Sequence, residues 1–284
     1  MLCIIKTGFT QGETMNLLEK KIAEILEELK ENHQAIGLKA EFEAEGCSLE
    51  EALSLKNFAQ NAGLELSIKI GGCEAIKDLH EIKTIGAKNI IAPMIETPYA
   101  MEKFIKATQK AFSENERKDF NFYINIETIT GFNNFNDIAS SEFFNEIKGI
   151  VLGRFDMAGS LGLTREHVNS EAILNIAKIL SEKSLSFNKE FIVGGGVYTD
   201  SIDFFKKLPY LNKFETRKII FNAQKALSMS NVKKAILKAI EFEILWLKNK
   251  RDSYGIFFQN DEIRIQLLEN IYSTLLKNSE SLKI

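Results

Sequence analysis

The order of strand-like and helix-like segments restricts the fold of this chain more than any other sequence feature. Short apolar or alternating runs recur eight times, with segments of helical periodicity between them. The predicted strands are 2–6, 37–45, 65–70, 88–95, 120–127, 149–153, 190–194 and one within 212–221. Strands that alternate with helices form parallel β-α-β units. The pattern therefore predicts an α/β protein with a parallel sheet.

Eight such units favour a closed (β/α)8 barrel, the TIM barrel, which typically occupies roughly 250 residues. The alternative is an open, doubly wound sheet. The glycine pattern G-x-G-x-x-G, which follows the first strand of a dinucleotide-binding sheet, is absent after the first predicted strand. Its absence weakens the open-sheet alternative.

The C-terminal region is predicted to be helical and to lie outside the barrel. We assign residues 1–228 to the barrel and 229–284 to a helical extension. Residues 232–247 are too apolar for an isolated surface helix, so we expect them to pack on the barrel, on a neighbouring subunit, or on both. This excess of apolar helix surface predicts a homo-oligomer.

Charge and composition exclude several classes of partner. The net charge is −3, so we expect no nucleic-acid surface. No apolar stretch approaches the ~18 residues of a membrane span, and the opening residues MLCIIKTGFT lack a signal-peptide pattern. Three cysteines without a C-x-x-C pair suit a reducing compartment. We expect a cytoplasmic protein that does not bind membranes.

Two acidic residues follow neighbouring strands at the barrel mouth, where the active sites of such barrels lie. In strand 120–127, alternation directs Asn121, Tyr123, Asn125 and Glu127 into the barrel. Asp156 follows the next strand by three residues. Adjacent strands lie ~4.8 Å apart, so both carboxylates can reach one point and suit Mg²⁺ or Mn²⁺.

The same residues allow a purely structural interpretation. Glu127 could be a helix-start carboxylate favoured by the helix dipole, and Asp156 could be an N-cap. The spacing alone leaves both interpretations open. Glu215 and Arg217 alternate in the last predicted strand and could belong either to a salt-bridge layer or to the site.

Three segments together resemble the HpcH/HpaI aldolase and citrate lyase β-subunit family. They are KNIIAPMIET (88–97), YINIETITG (123–131) and GIVLGRFDMAGSLG (149–162). They resemble the family's P-M-[IV]-E-[ST], I-E-T-x-x-G and G-x-x-D-[LM]-x-x-x-L-G segments in order and spacing. The resemblance covers about residues 36–200.

The resemblance implies a TIM barrel of the pyruvate/phosphoenolpyruvate-domain type and a class II, metal-dependent carbon–carbon lyase or aldolase. Glu127 and Asp156 would be the ligands of Mg²⁺, Mn²⁺ or another divalent cation. The substrate would be a 2-keto acid such as pyruvate, or a related acyl compound such as a CoA thioester. The metal would act as a Lewis acid toward the enolate.

The second strand departs from the aldolase pattern. Aldolase members carry D-x-E-H there, whereas this chain has Glu41-Phe42-Glu43-Ala44, so alanine stands at the histidine position. Glu43 and Glu45 could supply a base, because clustered carboxylates raise one another's proton affinity. Alternatively, Lys39 and Lys69 neutralise these acids in a buried network.

The family's substrate-binding arginine is also missing from the third strand. Lys69 stands at the corresponding position and offers a point charge without a bidentate fork. A Schiff base on this lysine is an alternative that the two metal carboxylates disfavour. Arg154 could provide the lost guanidinium from a neighbouring strand, or form a salt bridge at the rim. These losses support a second hypothesis, a catalytically altered barrel that binds a carboxylate ligand or a protein partner.

Overall fold

The computed structural model describes residues 15–281, and the strand predicted at 2–6 lies outside them. Within the described residues, eight strands close into a barrel in chain order. They are β1 (Ala35–Glu41), β2 (Glu65–Lys69), β3 (Asn89–Ala92), β4 (Asn121–Asn125), β5 (Gly149–Gly153), β6 (Glu190–Gly194), β7 (Lys213–Glu215) and β8 (Ile219–Asn222). This closed eight-stranded barrel confirms the predicted TIM-barrel fold and excludes the open sheet.

Helices surround the barrel and separate most of its strands. They are α1 (Leu17–His33), α2 (Leu49–Asn61), α3 (Ile76–Ile85), α4 (Pro98–Ala111), α5 (Glu114–Arg117), α6 (Ile129–Asn133), α7 (Phe135–Ala139), α8 (Arg154–Ser160), α9 (Glu171–Ser186), α10 (Ile202–Lys206), α11 (Ala223–Ser228) and α12 (Val232–Ser281). Short 3-10 helices lie at Glu142–Glu146, Arg165–His167 and Thr199–Ser201.

The last part of the barrel differs from the sequence prediction. The single strand predicted within 212–221 is two strands, β7 and β8, which form an antiparallel hairpin. Strand β8 also pairs antiparallel with β1, whereas every other neighbouring pair is parallel. Because β8 runs in reverse, the β7–β8 turn lies at the same end of the barrel as the carboxyl ends of β1 to β7.

The two faces of the strands carry different cores. Outward side chains such as Leu38, Ile68 and Ile124 are fully buried against the helices, and each contributes about 1.5–3 kcal/mol to folding. A small apolar layer fills the middle of the barrel, formed by Ile91, Tyr123, Val151 and Ile192. Polar side chains occupy the barrel above this layer, toward the carboxyl ends of the strands.

Helix α12 packs along α1. Its first turns bury Ile236, Ala239 and Phe242, and Glu28 of α1 pairs with Lys234 and Lys238 of α12. An apolar C-terminal helix packed on the barrel agrees with the sequence pattern. The division of the chain at residue 228 stays a prediction, and so does a homo-oligomer.

Candidate active site

A cavity of about 340 Å³ opens at the carboxyl ends of the parallel strands. Strands β1, β2 and β4 contribute Lys39, Glu41, Lys69 and Asn125 to its wall. Other segments supply the remaining charged lining side chains, namely Glu127, Asp156, Arg165, Glu215, Arg217 and Glu243. The cavity lies where the fold predicts an active site.

Glu127 is the most firmly held acidic residue at this mouth. It follows β4 by two residues and stays on the inward face, as the alternation of the strand predicts. Its Oε2 accepts hydrogen bonds from Asn125 Nδ2 at 2.7 Å and from Lys69 Nζ at 3.3 Å. Its Oε1 accepts the backbone N–H of Met94 at 3.1 Å. Glu127 is buried, with 2 % of the residue exposed, so these three donors fix the position of its carboxylate.

Two backbone features bring the chain close to Glu127. Met94 has a φ of 51°, a left-handed conformation that is uncommon outside glycine, and its N–H points at the carboxylate. Gly153 ends β5 beneath the same side chain, where an added Cβ would lie 2.5 Å from Glu127 Oε2. Both positions fall in the segments that resemble the family.

Burial raises the pKa of Glu127 above its ordinary value. The Lys69 ammonium and the Asn125 amide act in the opposite direction, whereas the negative charge of Asp156 raises the pKa further. This effect of Asp156 on Glu127 indicates that the two side chains are close enough to interact electrostatically. A cation between them would relieve the repulsion.

Neither acid caps a helix through its side chain. Asp156 is not an N-cap, because α8 begins at Arg154 and its N-cap is Gly153. Asp156 lies in the first turn and is exposed at the cavity. Glu127 does not cap the following helix either, since Thr128 accepts the hydrogen bond from Gly131 N there.

A salt-bridge layer lies beside Glu127. Lys39 contacts Glu215 and also Glu41, the latter at 2.9 Å. Burial opposes the charge on Lys39, but Glu215 and Glu41 outweigh it and raise the pKa of this lysine. Burial likewise opposes the charge on Glu41, but Lys39 and Lys69 outweigh it and lower the pKa of Glu41 to about 2. A buried network in which lysines neutralise acids is therefore present, as one alternative predicted. The neutralised acids are Glu41 and Glu215 rather than Glu43 and Glu45.

The structure does not bring the predicted bases Glu43 and Glu45 into the cavity lining. Strand β1 ends at Glu41 and the chain turns, with Cys47 N bonded to Glu41 O at 3.4 Å. Glu43 lies within this turn and is exposed. Glu45 is held by Arg217 Nε at 2.8 Å and by Lys218. The strand alternation from which Glu43 and Glu45 were predicted to point inward ends at Glu41, where the turn begins. Of the residues in this turn, Ala44 lines the cavity.

Arg154 is fully buried behind the cavity rather than exposed inside it. Its guanidinium donates to the carbonyls of Gly194 and Gly196 at 3.2 and 3.1 Å, and to Ser201 Oγ at 3.2 Å. No ion pair among the described residues includes it, so the predicted rim salt bridge does not form. Burial lowers the pKa of Arg154 to about 9. Its contacts fit a role in holding the 194–196 turn, and they correct the substrate-binding prediction.

The donor set fits a divalent cation that keeps open coordination positions. Among the side chains that the structure describes, no three from His, Cys, Asp or Glu converge as a complete cage. Glu127 and Asp156 offer two carboxylates with cavity volume beside them for water and substrate. Magnesium is commonly held by one or two carboxylates with water and substrate completing its shell.

Sequence reasoning missed several lining residues. Alternation directed Asn125 into the barrel without assigning it a role, and the same alternation could have selected Glu41. The Met94 amide has no side-chain signal. Glu243 enters the cavity from α12, and only the tertiary packing reveals it.

Comparison with known proteins finds solved structures with a similar fold over most of the chain. The structure is similar to the HpcH/HpaI aldolase from Desulfitobacterium hafniense DCB-2, with a TM-score of 0.55 and 10% identity, covering 71% of this chain and 83% of that one. It is also similar to the citrate synthase SbnG, with a TM-score of 0.53 and 16% identity, covering 81% and 90%. At these identities the likeness shows the fold alone.

A third solved structure is a HpcH/HpaI aldolase/citrate lyase family protein from Burkholderia cenocepacia J2315. Its TM-score is 0.52 at 12% identity, and the match covers 68% of this chain and 92% of that one. No curated protein sequence matches this chain. No helix among the described residues is long and apolar enough to cross a membrane. The sequence model of the HpcH/HpaI aldolase/citrate lyase family matches residues 46–187, half of the chain, and the protein therefore belongs to that family.

Proposed function

We propose that this protein is a divalent-metal-dependent carbon–carbon lyase or aldolase that acts on a 2-keto acid or a related acyl substrate. The observation that carries the proposal is the pair of carboxylates, Glu127 and Asp156, at one side of an open polar cavity. Membership in a family of aldolases and citrate lyases supports the same reaction class.

In this proposal Glu127 and Asp156 hold Mg²⁺ or Mn²⁺. The bound metal would supply Lewis-acid stabilisation of the negative charge that develops on a substrate oxygen. The chain itself fixes Glu127 through Met94 N–H and Asn125, so this ligand needs little reorganisation.

With a bound divalent cation, the balance of charge in the cavity would suit an anionic substrate. Five acidic and four cationic side chains of the described residues line it. A divalent cation would reverse the sign of this balance and favour a carboxylate ligand. Lys69 is the cationic lining side chain that contacts Glu127, so we assign it the anionic oxygens of the substrate.

Proton transfer needs a group whose pKa lies nearer to neutrality than that of Glu41. Glu43 and Glu45 do not line the cavity, and lysine neighbours hold the pKa of Glu41 near 2. Burial raises the pKa of Glu243, against the opposing charges of Arg217 and Lys218, and this residue does line the cavity. We therefore propose Glu243 as the proton-transfer group.

The test is exchange of the methyl protons of pyruvate for deuterium, followed by NMR. We expect exchange with Mg²⁺ or Mn²⁺ and none with excess chelator. Glu127→Gln should remove both metal binding and exchange, since it neutralises the buried ligand. Glu65→Gln is the matched control at the opposite end of the barrel, and it should retain exchange. Full activity of Glu127→Gln would refute the assigned role.

A second candidate is a barrel that binds a carboxylate ligand without aldol chemistry. The observation that favours it is Ala44, which lines the cavity at the position where resembling aldolases carry histidine. None of the described lining residues is a histidine. Metal binding and pyruvate binding without deuterium exchange would support this candidate over the lyase.

A further inference from the structure

Lys69 stands between the carboxylates of Glu41, at the end of β1, and Glu127, just beyond the end of β4. Its Nζ lies 3.3 Å from Glu127 Oε2, and among the described residues this is its one ion pair within 4.0 Å. On the other side, Lys69 is the register partner of Glu41 across the parallel β1–β2 ladder. Both side chains line the cavity. A flexible lysine with acids on two sides can exchange partners without a change in the backbone.

The carboxylate that Lys69 contacts is the one that would bind the cation in the proposed metal site. Glu127 Oε1 accepts the Met94 amide, and Oε2 accepts both Asn125 and Lys69. An ammonium group next to this carboxylate repels any incoming cation. Because the side chains of Glu127 and Lys69 are only 1 % and 14 % exposed, solvent screens this repulsion weakly.

We propose that Lys69 competes with the divalent metal for Glu127 and is released when an anionic substrate enters the cavity. The inference rests on the metal site of the proposed function. The incoming carboxylate and Glu41 together offer the ammonium group new partners, so Glu127 becomes free for the cation. Metal and substrate then each raise the affinity for the other, because coupling between two sites is reciprocal.

A lysine at position 69 would make metal affinity depend on substrate in a way that an apolar residue there would not. The chain would hold metal weakly in the absence of substrate and more tightly in its presence. The coupling would come from one side chain that interacts with both ligands, so it needs no movement of the barrel.

The experiment measures Mn²⁺ binding by calorimetry to the full chain and to Lys69→Met, first without any organic acid. We expect Lys69→Met to bind Mn²⁺ about tenfold more tightly, since one adjacent charge changes the proton affinity of a carboxylate by about that factor or more. Arg217→Met is the matched control. It removes a cation from the same cavity, but one that pairs with Glu45 rather than with Glu127.

The second half of the experiment repeats the titrations with pyruvate present. We expect pyruvate to tighten Mn²⁺ binding in the unmodified chain, and to do so by a smaller factor in Lys69→Met. Lys69→Gln, a polar neutral variant, should behave like Lys69→Met, and urea unfolding of each variant checks that the fold is intact.

The outcomes separate this inference from the proposed function. Equal Mn²⁺ affinities of the unmodified chain and Lys69→Met would overturn the competition alone. Equal tightening by Lys69→Met and Arg217→Met would also overturn it, since a general field effect would then suffice. Absence of Mn²⁺ binding in all of these proteins would overturn the metal site and this inference together.

Discussion

Replacing Gly153 with alanine should displace Glu127 while leaving the backbone of β5 unstrained. Gly153 has φ −86° and ψ 98°, values that alanine readily adopts. The added Cβ would lie 2.5 Å from Glu127 Oε2 and 3.0 Å from Glu127 Cβ. The effect of the substitution therefore comes from one contact rather than from backbone conformation.

The size of the effect follows from these distances. To reach an ordinary van der Waals contact, the carboxylate oxygen must retreat by roughly 0.9 Å. Rotation of the carboxylate does not suffice, because the Cβ of Glu127 is fixed to the backbone just beyond β4. We expect Gly153→Ala to lower the free energy of unfolding by about 1–3 kcal/mol, the usual cost of overpacking. The hydrogen bonds to Met94 and Asn125 should weaken, and Mn²⁺ affinity should fall.

Urea unfolding and calorimetric Mn²⁺ titration measure the two effects. The control is Gly159→Ala in α8, where an added Cβ has no neighbour within 4 Å. Because alanine is the better helix former, Gly159→Ala should be neutral or stabilise the chain by up to about 1 kcal/mol. If Gly153→Ala proved as harmless as Gly159→Ala, the reasoning about Glu127 would be refuted.

A double-mutant cycle tests whether Glu127 itself causes the loss. In a Glu127→Ala background the Oε2 contact is gone and only the Cβ contact remains. Gly153→Ala should therefore cost less there than in the unmodified chain, with a coupling energy of at least ~0.5 kcal/mol. Equal costs in the two backgrounds would assign the destabilisation to another neighbour.

Further predictions concern Arg154, Glu243 and Met94. Arg154→Met should lower the free energy of unfolding, measured in urea, by about 2–3 kcal/mol, because the buried Gly194 and Gly196 carbonyls lose their donor. An unchanged stability together with a raised KM for pyruvate would instead support a substrate-binding role for Arg154. The raised pKa of Glu243 stabilises the fold below the ordinary glutamate pKa, and this contribution is lost as the pH rises through the folded-state value. Glu243→Gln should therefore raise the Tm by about 2–4 °C at pH 8 and leave it unchanged at pH 4; an equal gain at both pH values would contradict the assignment. Met94→Val should destabilise the chain by about 1–2 kcal/mol, because a β-branched residue is strained at the left-handed φ of position 94, whereas Met94→Gly should not. Equal urea midpoints for the two variants would argue against backbone strain at this position.

The sequence predicted most of the barrel because its strands carry strong local signals. Strand β4 alternates over its whole length, so its inward face and Glu127 could both be assigned. Strand β3 ends at Ala92, three residues before the predicted end, because Pro93 has no N–H to extend the ladder. That signal was present in the sequence.

The β7–β8 hairpin carries no comparable signal. Its turn lacks the Asn-Gly or Asp-Gly pair typical of two-residue hairpins. The Thr216 side chain closes it instead, since Thr216 Oγ1 accepts the N–H of Ile219 at 3.0 Å. The sequence signal within residues 212–221 therefore resembled one strand with a polar interruption, although it forms both β7 and β8.

The site was predictable only where a strand fixes the side-chain direction. Glu127 and Asp156 follow well-marked strands, and the structure brings them to one cavity. Glu43 and Glu45 were oriented by extending the alternation of β1 past its end at Glu41. Arg154 was judged by its charge, whereas its position under the 194–196 turn depends on packing between segments that are far apart in sequence.

The reversal of β8 explains why the C-terminal helix reaches the cavity. Because β8 runs toward the opposite end of the barrel, the chain leaves it there, and α12 must return along the outside. Eleven residues of helix between Val232 and Glu243 span about 17 Å, enough to carry Ile240 and Glu243 up to the mouth. The β7–β8 turn places Arg217 beside them. These wall residues lie outside the segment that matches the family, residues 46–187. A substrate bound at Glu127 would thus meet one wall built from the family segments and another built from segments outside that match. We therefore expect exchanges within α12 and the β7–β8 turn to change which substrate is accepted while leaving metal affinity at Glu127 intact.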